Sequence, residues 1–428
     1  MSHFGVVAPP YPSHFQAFQA LAGTLLVRGH KVTFLHQFDS QRWLQDPRIA
    51  FAPVGLDEYP PGSLDQALRL AANPTGPLRL RRLIRHLADT SAMLCEALPG
   101  ELERLGVDAL LCDQLEPAGA LAANALGLPY VSVACALPIN REPGVPLPVM
   151  PFKYGGDRRS QKLYQGSTRV HDWLMAPQRQ VLQAAAQRLG LAGSATQEDY
   201  LSPLAQVSQT LAGFDFPRVG LPPHFHAVGP LRNGAQHASG TWSFKPDRPV
   251  VFASLGTLQG HRFSLFAKIA QACQRLDLQL LIAHCGGLDS QQHAQLLHLG
   301  ARYVTDFAPQ QWAVRRADVV ISHGGLNTVM DAIAAGTPML VLPIAFDQPG
   351  VAARVVHHRL GLALSRWAGV AAITSALARL LDTPLPALSG LQAELAAAGG
   401  VDRAADIIEQ AVRTRQPVVA EAYPCTMT

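Results

Sequence analysis

Short apolar segments alternate with amphipathic segments along this chain, and the pattern is present in both halves. In the first half, helix-like segments separate strand-like segments at residues 4–8, 32–35, 108–112 and 130–134. The second half repeats the pattern between residues 250 and 342. Strands that alternate with helices usually pair in parallel, and helices then cover both faces of the sheet. The sequence therefore predicts two doubly wound α/β domains that face each other across a cleft.

The length of the chain and one break in its pattern predict the domain boundaries. The 428 residues suit two domains, since a domain typically has about 100–200 residues. Around residues 216–249 the alternation gives way to a segment rich in Pro, Gly and His, which is typical of a linker. We expect a first domain at residues 1–218, onto which the last helix can pack back, and a mobile tail at 415–428. The linker and the second domain are expected at residues 219–249 and 250–414.

Composition and charge exclude several classes of protein. The net charge of +4 is too small to indicate a nucleic-acid-binding protein. No two of the six cysteines lie within five residues of each other, so their spacing predicts neither a zinc site nor a redox pair. We expect reduced thiols in a cytoplasmic chain. No Lys or Arg precedes Arg28, and a secretory signal is not expected. The uncharged residues 117–140 are predicted to form a buried helix and strand, because Gly127 and Pro129 interrupt them.

The richest group of candidate site residues lies between residues 315 and 348. A predicted strand ends at Ser322, and residues 323–325 form the turn into a helix. Backbone N–H groups and the helix dipole at such an N-terminus favour an anion such as phosphate. His323 offers a further donor, while Asn327 and Thr328 either donate to the same anion or cap the helix. The glycines alternatively serve only tight packing of the strand against the helix.

Polar turns also follow two other predicted strands of the second half. Ser254 and Thr257 follow one strand and offer hydroxyl donors, and Asp347 and Gln348 follow another and suit a polyhydroxylated ligand. Asp331 lies on the helix after residues 323–325, where it either accepts hydrogen bonds from a ribose or is an exposed helix carboxylate. Ligands of open parallel sheets bind beyond the carboxyl ends of the strands, so the sequence predicts a ligand site at this edge.

The order of these residues resembles a known donor signature. Between Phe307 and Gln348 the chain reads F-x-P-Q, H-G-G-x-N-T, a carboxylate, G-T-P and D-Q. This order is similar to that of the family 1 glycosyltransferases, which use UDP-sugars and have the GT-B fold of two facing Rossmann-like domains. The resemblance covers nearly the whole chain. It implies that uracil is held by Phe307, Ala308 and Gln310, and the diphosphate by Ser254, Thr257, His323, Gly325, Asn327 and Thr328. It further implies that Asp331 binds the ribose and that Asp347 and Gln348 bind the sugar, with Gln348 as in members that use glucose.

The resemblance also implies a catalytic pair in the first half. His14, in the segment APPYPSHFQAF, stands where the family has its general base, and Asp113 stands at the position of the partner carboxylate. An imidazole that titrates near neutrality can accept a proton from an alcohol, and a carboxylate can orient the ring. His14 alternatively only caps the helix that begins beside it. The chain contains no D-x-D, so we expect no metal site and no bound cofactor besides the donor UDP-glucose.

The acceptor is expected to be hydrophobic. Residues 143–152 are apolar and rich in proline, as are many loops that line a hydrophobic pocket. Ordinary packed loops have the same composition. The stretch from Cys135 to Phe152 is similar to that of the bacterial zeaxanthin glucosyltransferases. This resemblance implies inverting transfer of glucose to the 3-hydroxyl groups of zeaxanthin, which gives the mono- and diglucoside. A macrolide, flavonoid or sterol is the alternative acceptor, and an epimerase or a non-catalytic UDP-sugar-binding protein is a further alternative.

One basic segment raises the question of membrane contact. Arg79, Arg82 and Arg85 alternate with leucines at helical spacing between residues 78 and 87. This pattern suits a helix that rests on an anionic membrane surface, but it is more often a solvated helix face. Peripheral contact with the cytoplasmic face of a membrane would fit a membrane-dissolved acceptor.

Overall fold

A computed structural model describes residues 1–193, 196–232 and 240–420. Within these residues the chain forms two sheets, one in each half, and neighbouring strands in both sheets are parallel. Helices connect the strands, as the alternating sequence pattern predicts. The predicted architecture of two doubly wound α/β domains is therefore confirmed.

The first sheet has seven strands among the described residues, in the order β3-β2-β1-β4-β5-β6-β7. Its two central strands β4 and β5 are buried along their whole length, which explains why their sequences are almost entirely apolar. The strands are β1 His3–Val7, β2 Lys31–His36, β3 Ala50–Pro53, β4 Ala109–Asp113, β5 Tyr130–Ala134, β6 Gln206–Ser208 and β7 Phe225–Ala227.

Six helices of the described chain lie in this half: α1 Pro12–Val27, α2 Ser63–Ala72, α3 Pro77–Leu105, α4 Ala118–Ala125, α5 Arg158–Leu174 and α6 Ala176–Arg188. Helix α1 ends just before Gly29, which has a φ of 86° in the left-handed region that favours glycine. Helix α4 and strand β5 account for the uncharged residues 117–140. Within the described part of the chain, no helix is both long and apolar enough to cross a membrane.

The second sheet has six strands in the described chain, in the order β10-β9-β8-β11-β12-β13. They are β8 Val250–Ser254, β9 Gln279–Ala283, β10 Ala301–Thr305, β11 Val319–Ser322, β12 Met339–Val341 and β13 Gly361–Ala363. The helices after β8 are α7 Phe263–Arg275, α8 Ser290–His298, α9 Gln310–Arg316, α10 Leu326–Ala335, α11 Gln348–His357, α12 Val370–Asp382, α13 Ala387–Ala397 and α14 Gly400–Thr414. The strand β11, the turn and the helix α10 lie where the sequence predicts a phosphate-binding turn.

The last helix returns to the first sheet. Helix α14 packs against α1 and β5, and its residues from Val401 to Ala411 belong to the same apolar cluster as Phe4 and Phe15. Within the predicted tail, the N–H of Val418 donates to the carbonyl of Leu204 at 2.8 Å, and Val418 is buried. Residues 421–428, with Cys425, lie outside the described residues. The predicted linker, residues 219–249, contains strand β7.

Candidate active site

The carboxyl ends of the two sheets face each other. The N–H of Leu137, just after β5, donates to the Asp347 carboxylate after β12 at 3.2 Å. The rings of Tyr11 and Phe346 lie 6.3 Å apart across the same gap. Polar turns from both halves therefore converge on one interdomain cleft, as expected for ligand sites of open parallel sheets.

On the first side of the cleft, His14 and Asp113 form a buried pair. The Nδ1 atom of His14 lies 2.6 Å from Oδ2 of Asp113, and the other carboxylate oxygen accepts the N–H of Leu115 at 2.9 Å. His14 is the third residue of α1, which begins after Tyr11, and among the described residues no side chain caps this helix. The helix-capping alternative for His14 is therefore not observed. A carboxylate at Nδ1 places the proton there and leaves Nε2 as the basic nitrogen.

The surroundings of His14 favour its protonated form. Burial alone would lower the pKa, but the charge and hydrogen bond of Asp113, together with the charge of Asp347, outweigh burial and raise the pKa of His14 above its ordinary value of 6.5. The His14 side chain is 10% exposed, so part of it is accessible. His14 thus combines two properties of a general base: a proton affinity raised by a fixed anion and access for a small group.

A third buried side chain completes this cluster. The thiol of Cys135, one residue after β5, hydrogen-bonds to Asp113, and burial followed by the Asp113 charge raises its pKa well above 9.0. The thiol is therefore neutral at physiological pH and acts as a donor to the carboxylate. Potential ligand atoms of His14, Asp113 and Cys135 lie within 4.8 Å of one another. Sequence spacing gave no signal for this residue, since only the fold brings it to Asp113.

On the second side of the cleft, His323 lies in the turn between β11 and α10. Burial lowers the pKa of His323 to about 4, so its ring is neutral at physiological pH. Its Nδ1 atom is buried and has no hydrogen-bond partner among the described residues. Burying a nitrogen without a partner costs free energy, which a ligand that supplies the partner would recover. The His323 ring therefore carries an unsatisfied polar atom in this turn.

Two glycines make room for the His323 ring. A Cβ atom on Gly256 or on Gly325 would lie 2.7 Å from Cε1 of His323, which is closer than side-chain contacts allow. Gly256 also has a φ of 73°, in the left-handed region. The turn after β8 and the turn after β11 therefore meet at this ring. Ser254, buried at the end of β8, belongs to the same group, whereas Thr257 is exposed.

The predicted nucleotide contacts on α9 and α10 are partly engaged with each other. The carboxylate of Asp331 is buried and pairs with Arg232, and it accepts the amide N–H of Gln310 at 2.6 Å. It is therefore not the exposed carboxylate of one sequence alternative. Its contact with a ribose remains a prediction, and it requires the sugar to share or replace these partners. The hydroxyl group of Thr328 donates to the side-chain oxygen Oε1 of Gln310 at 3.4 Å.

Arg232 also fixes the start of α10. Its Nη2 donates to the carbonyl of Asn327 at 2.7 Å. In the described chain no side chain caps α10, whose N-cap residue is Gly325, so Asn327 and Thr328 do not play the capping role considered above. Arg232 lies in the predicted linker, and the sequence gave no indication of its role.

The remaining predicted donor residues occupy two loops. Phe307, after β10, is 68% exposed and presents its ring to solvent, while Ala308 is half-buried. Gln348 is buried, and its side-chain oxygen Oε1 accepts hydrogen bonds from the backbone N–H groups of Ile344 and Ala345 at 2.9 and 2.8 Å. Gln348 therefore shapes the loop that holds Asp347. Burial raises the pKa of Asp347 more than the Leu137 N–H and the charge of His14 lower it.

An ionic cluster anchors this loop from behind. Arg354 on α11 is fully buried, and its Nε donates to Asp215 at 2.7 Å, which also accepts from Arg218 at 3.0 Å. The charge and bonds of these two guanidinium groups outweigh burial and lower the pKa of Asp215. The Arg354 guanidinium lies over the Phe216 ring. Because Asp215 lies between β6 and β7 of the first sheet and α11 begins at Gln348, the cluster ties the predicted sugar loop to the first half.

Comparison with known proteins identifies the family. The chain is 48% identical to the zeaxanthin glucosyltransferase of Pantoea ananas over 426 residues, which are 98% of each protein. It is 46% identical to the zeaxanthin glucosyltransferase of Pseudescherichia vulneris over 421 residues, or 98% of this chain and all of the relative. The chain belongs to this family of glycosyltransferases. It is therefore a transferase of hexosyl groups.

A family profile matches the second half of the chain, and two solved structures show its fold. Residues 251–389 match the profile of the glycosyltransferase family 28 C-terminal domain. The structure of the kitacinnamycin glycotransferase superimposes with a TM-score of 0.73 at 23% identity and covers 96% of this chain and 98% of its own. The calicheamicin glycosyltransferase CalG4 superimposes with the same score at 20% identity, over 97% and 99%. These similarities confirm the predicted GT-B fold of this glycosyltransferase.

Proposed function

We propose that this glycosyltransferase moves glucose from UDP-glucose to the 3-hydroxyl groups of zeaxanthin, with inversion at the anomeric carbon. Two successive transfers give the mono- and diglucoside. Two zeaxanthin glucosyltransferases that match it over 98% of its length support the acceptor. The single observation that carries the chemistry is the buried His14–Asp113 pair at the edge of the cleft.

The first half of the cleft would activate the acceptor. As the acceptor oxygen attacks the anomeric carbon, its O–H bond breaks and the proton passes to Nε2 of His14. The bond between the anomeric carbon and the phosphate oxygen breaks on the opposite face, so the configuration inverts and UDP leaves with the bonding electrons. Asp113 stabilises the imidazolium that forms, because it accepts the Nδ1 hydrogen in a buried and preorganised contact.

The second half would stabilise the leaving diphosphate. The first N–H groups of α10 have no partner within the helix, and the helix dipole adds positive potential at the same end. Because His323 is neutral, it contributes one N–H donor and no charge. Ser254, Thr257, Asn327 and Thr328 would add side-chain or backbone donors, and Phe307 would stack on the uracil. Asp347 and the amide group of Gln348 would bind hydroxyl groups of glucose.

We further propose that transfer requires no metal ion. The helix N-terminus and His323 supply the stabilisation that a metal would give to the diphosphate. A soft metal ion at His14, Asp113 and Cys135 would instead compete with the proton for the base. EDTA is therefore expected to leave the rate unchanged.

The test is a transfer assay with purified protein, UDP-glucose, EDTA and zeaxanthin dispersed in detergent. Release of UDP and formation of glucosides are followed by chromatography, and the anomeric configuration is determined by NMR. β-Carotene, which lacks the hydroxyl groups, serves as the matched control. Glucosides with β configuration from zeaxanthin alone are expected.

Two outcomes would contradict separate parts of the proposal. Binding of UDP-glucose without any carotenoid product would remove the acceptor and direct the search to macrolide, flavonoid or sterol alcohols. Loss of activity in EDTA that Mg²⁺ restores would remove metal independence.

A further inference from the structure

The solvent-facing side of α5 carries a mixture of apolar and cationic side chains. Trp173, Val170 and Leu163 are 74%, 54% and 50% exposed. Their spacing of three and seven residues places them on one face of the helix. Exposed single apolar residues are common, but an exposed tryptophan in line with two aliphatic residues is not explained by the packing of the domain.

Cations surround this apolar stripe. Arg158, Arg159, Lys162 and Arg169 are all exposed on the same helix. Within α5, the one carboxylate is Asp172, and it is engaged by Arg141 at 2.6 Å. The opposite side of the helix contributes the buried Tyr164 to the domain. The exposed face is therefore positive and apolar, and it complements an anionic surface with an apolar interior.

The position of α5 connects this face with the cleft. Tyr164 donates from its hydroxyl group to the carbonyl of Lys153 at 2.5 Å and stacks on Phe152, at the end of the proline-rich loop. The segment that leads into this loop starts near Leu137, whose N–H donates to Asp347 in the cleft. One continuous segment of the chain thus runs from the site of transfer to the exposed helix.

We propose that α5 is the surface by which this enzyme binds anionic lipid bilayers. Trp173, Val170 and Leu163 enter the interface between headgroups and acyl chains, while the four cations contact anionic headgroups. Bound in this way, the enzyme holds the proline-rich loop close to a bilayer that contains a hydrophobic acceptor. The inference differs from the sequence expectation for α3, since it assigns the contact to residues 158–173 and not to Arg79, Arg82 and Arg85.

The purpose of this surface rests on the proposed carotenoid acceptor, but its test does not. Binding is measured by sedimentation of the full-length protein with vesicles, without either substrate. One set of vesicles is phosphatidylcholine, and the other contains phosphatidylcholine and phosphatidylglycerol in equal parts. We expect binding to the anionic vesicles that weakens with added salt, since exposed charges are screened.

Variants separate α5 from other surfaces. Arg158→Gln with Lys162→Gln is expected to weaken binding roughly 30-fold, at about one factor of five per cation removed. Trp173→Ser is expected to reduce binding further. Trp367→Ser is the matched control, because Trp367 is 72% exposed in the other half of the molecule. Arg79→Gln with Arg82→Gln tests the alternative surface on α3.

All of the substituted side chains are exposed, so unchanged thermal melting will show that the variants are folded. The α5 variants are also expected to keep full turnover with detergent-dispersed acceptor and to lose turnover when the acceptor is embedded in anionic vesicles. Absence of binding by the unmodified protein would overturn the proposal and leave this face to an acidic protein partner. Equal loss in the Trp367 control, or loss only in the α3 variant, would overturn it as well.

Discussion

Replacing Asp113 with Asn tests the proposed base more sharply than removing His14 itself. The substitution keeps the size of the side chain and an oxygen that can still accept the N–H of Leu115. It removes the negative charge that lies 2.6 Å from His14. It also allows the new amide N–H to donate to Nδ1, which would place the imidazole proton on Nε2 and block the basic nitrogen.

The magnitude follows from the burial of the pair. Asp113 is 1% exposed, so little water can replace its charge when an imidazolium forms beside it. Removing one partner of such a buried pair costs about 3–5 kcal/mol. If that cost falls on the transition state, kcat drops by roughly 10²- to 10⁴-fold. The affinity for UDP should change little, because its predicted site lies on the other sheet.

The pH profile gives an independent signature. In the unmodified enzyme, the charges of Asp113 and Asp347 raise the pKa of His14 above 6.5 against the effect of burial. The base acts in its unprotonated form, so kcat/KM rises with pH through this pKa. Without the Asp113 charge, burial carries more weight and the pKa falls. The acidic limb of the profile should therefore move to lower pH while the plateau drops.

A nearby carboxyl group provides the control. Glu116 is buried in the turn after the same strand, but it binds Ser91 at 3.0 Å. Glu116→Gln should keep kcat within a few-fold of the unmodified value. Steady-state kinetics across pH will compare both variants. If Asp113→Asn retains kcat within tenfold and its acidic limb does not move, the assignment of the pair is refuted.

Three more predictions concern His323, Glu116 and the pair formed by Arg354 and Asp215. His323→Ala should weaken UDP binding by roughly 10- to 100-fold, the value of one hydrogen bond to a charged group, and unchanged affinity in calorimetry would contradict the assignment. Burial raises the pKa of Glu116 to about 7. Between pH 4.5 and 7 the folded chain therefore holds a proton that the unfolded chain releases. The free energy of unfolding should fall by about 3 kcal/mol as the pH rises across this range. Urea unfolding should show that Glu116→Gln removes this fall, and an unchanged pH dependence would count against it. Arg354→Met should lower the free energy of unfolding by about 3 kcal/mol or more, because it leaves the Asp215 carboxylate without this partner. Adding Asp215→Asn in a double variant should recover part of the lost free energy. Equal melting temperatures for all forms would disprove the role of this pair.

The sequence predicts elements with strong periodicity better than those defined by pairing. Strand β5 has the predicted bounds and β11 ends at Ser322 as predicted, because each is a short apolar segment followed by turn residues. By contrast, β6 and β7 have three residues each, too few for any periodic signal, and only pairing in the sheet makes them strands. The hydrogen bond from Val418 to the carbonyl of Leu204 likewise has no signal in the local sequence.

The same distinction applies to the site. His14 and Asp113 are predicted from the resemblance to the family 1 glycosyltransferases, and the fold brings them together although 99 residues separate them. Cys135 and Arg232 were missed, because their importance comes from contacts with Asp113 and Asp331 that no local pattern encodes. The environment of His323 could not be predicted either, since its low pKa results from burial in the assembled turn.

The return of α14 to the first sheet has a consequence for synthesis. During synthesis, the apolar residues between Val401 and Ala411 are made after both sheets. These residues complete the apolar cluster around Phe4 and Phe15. Domains usually fold in the order in which they emerge. The first half is therefore completed only after residues 401–411 have been made, and its apolar surface stays uncovered until then. A truncation near residue 400 would damage this half, although its own strands lie before residue 228.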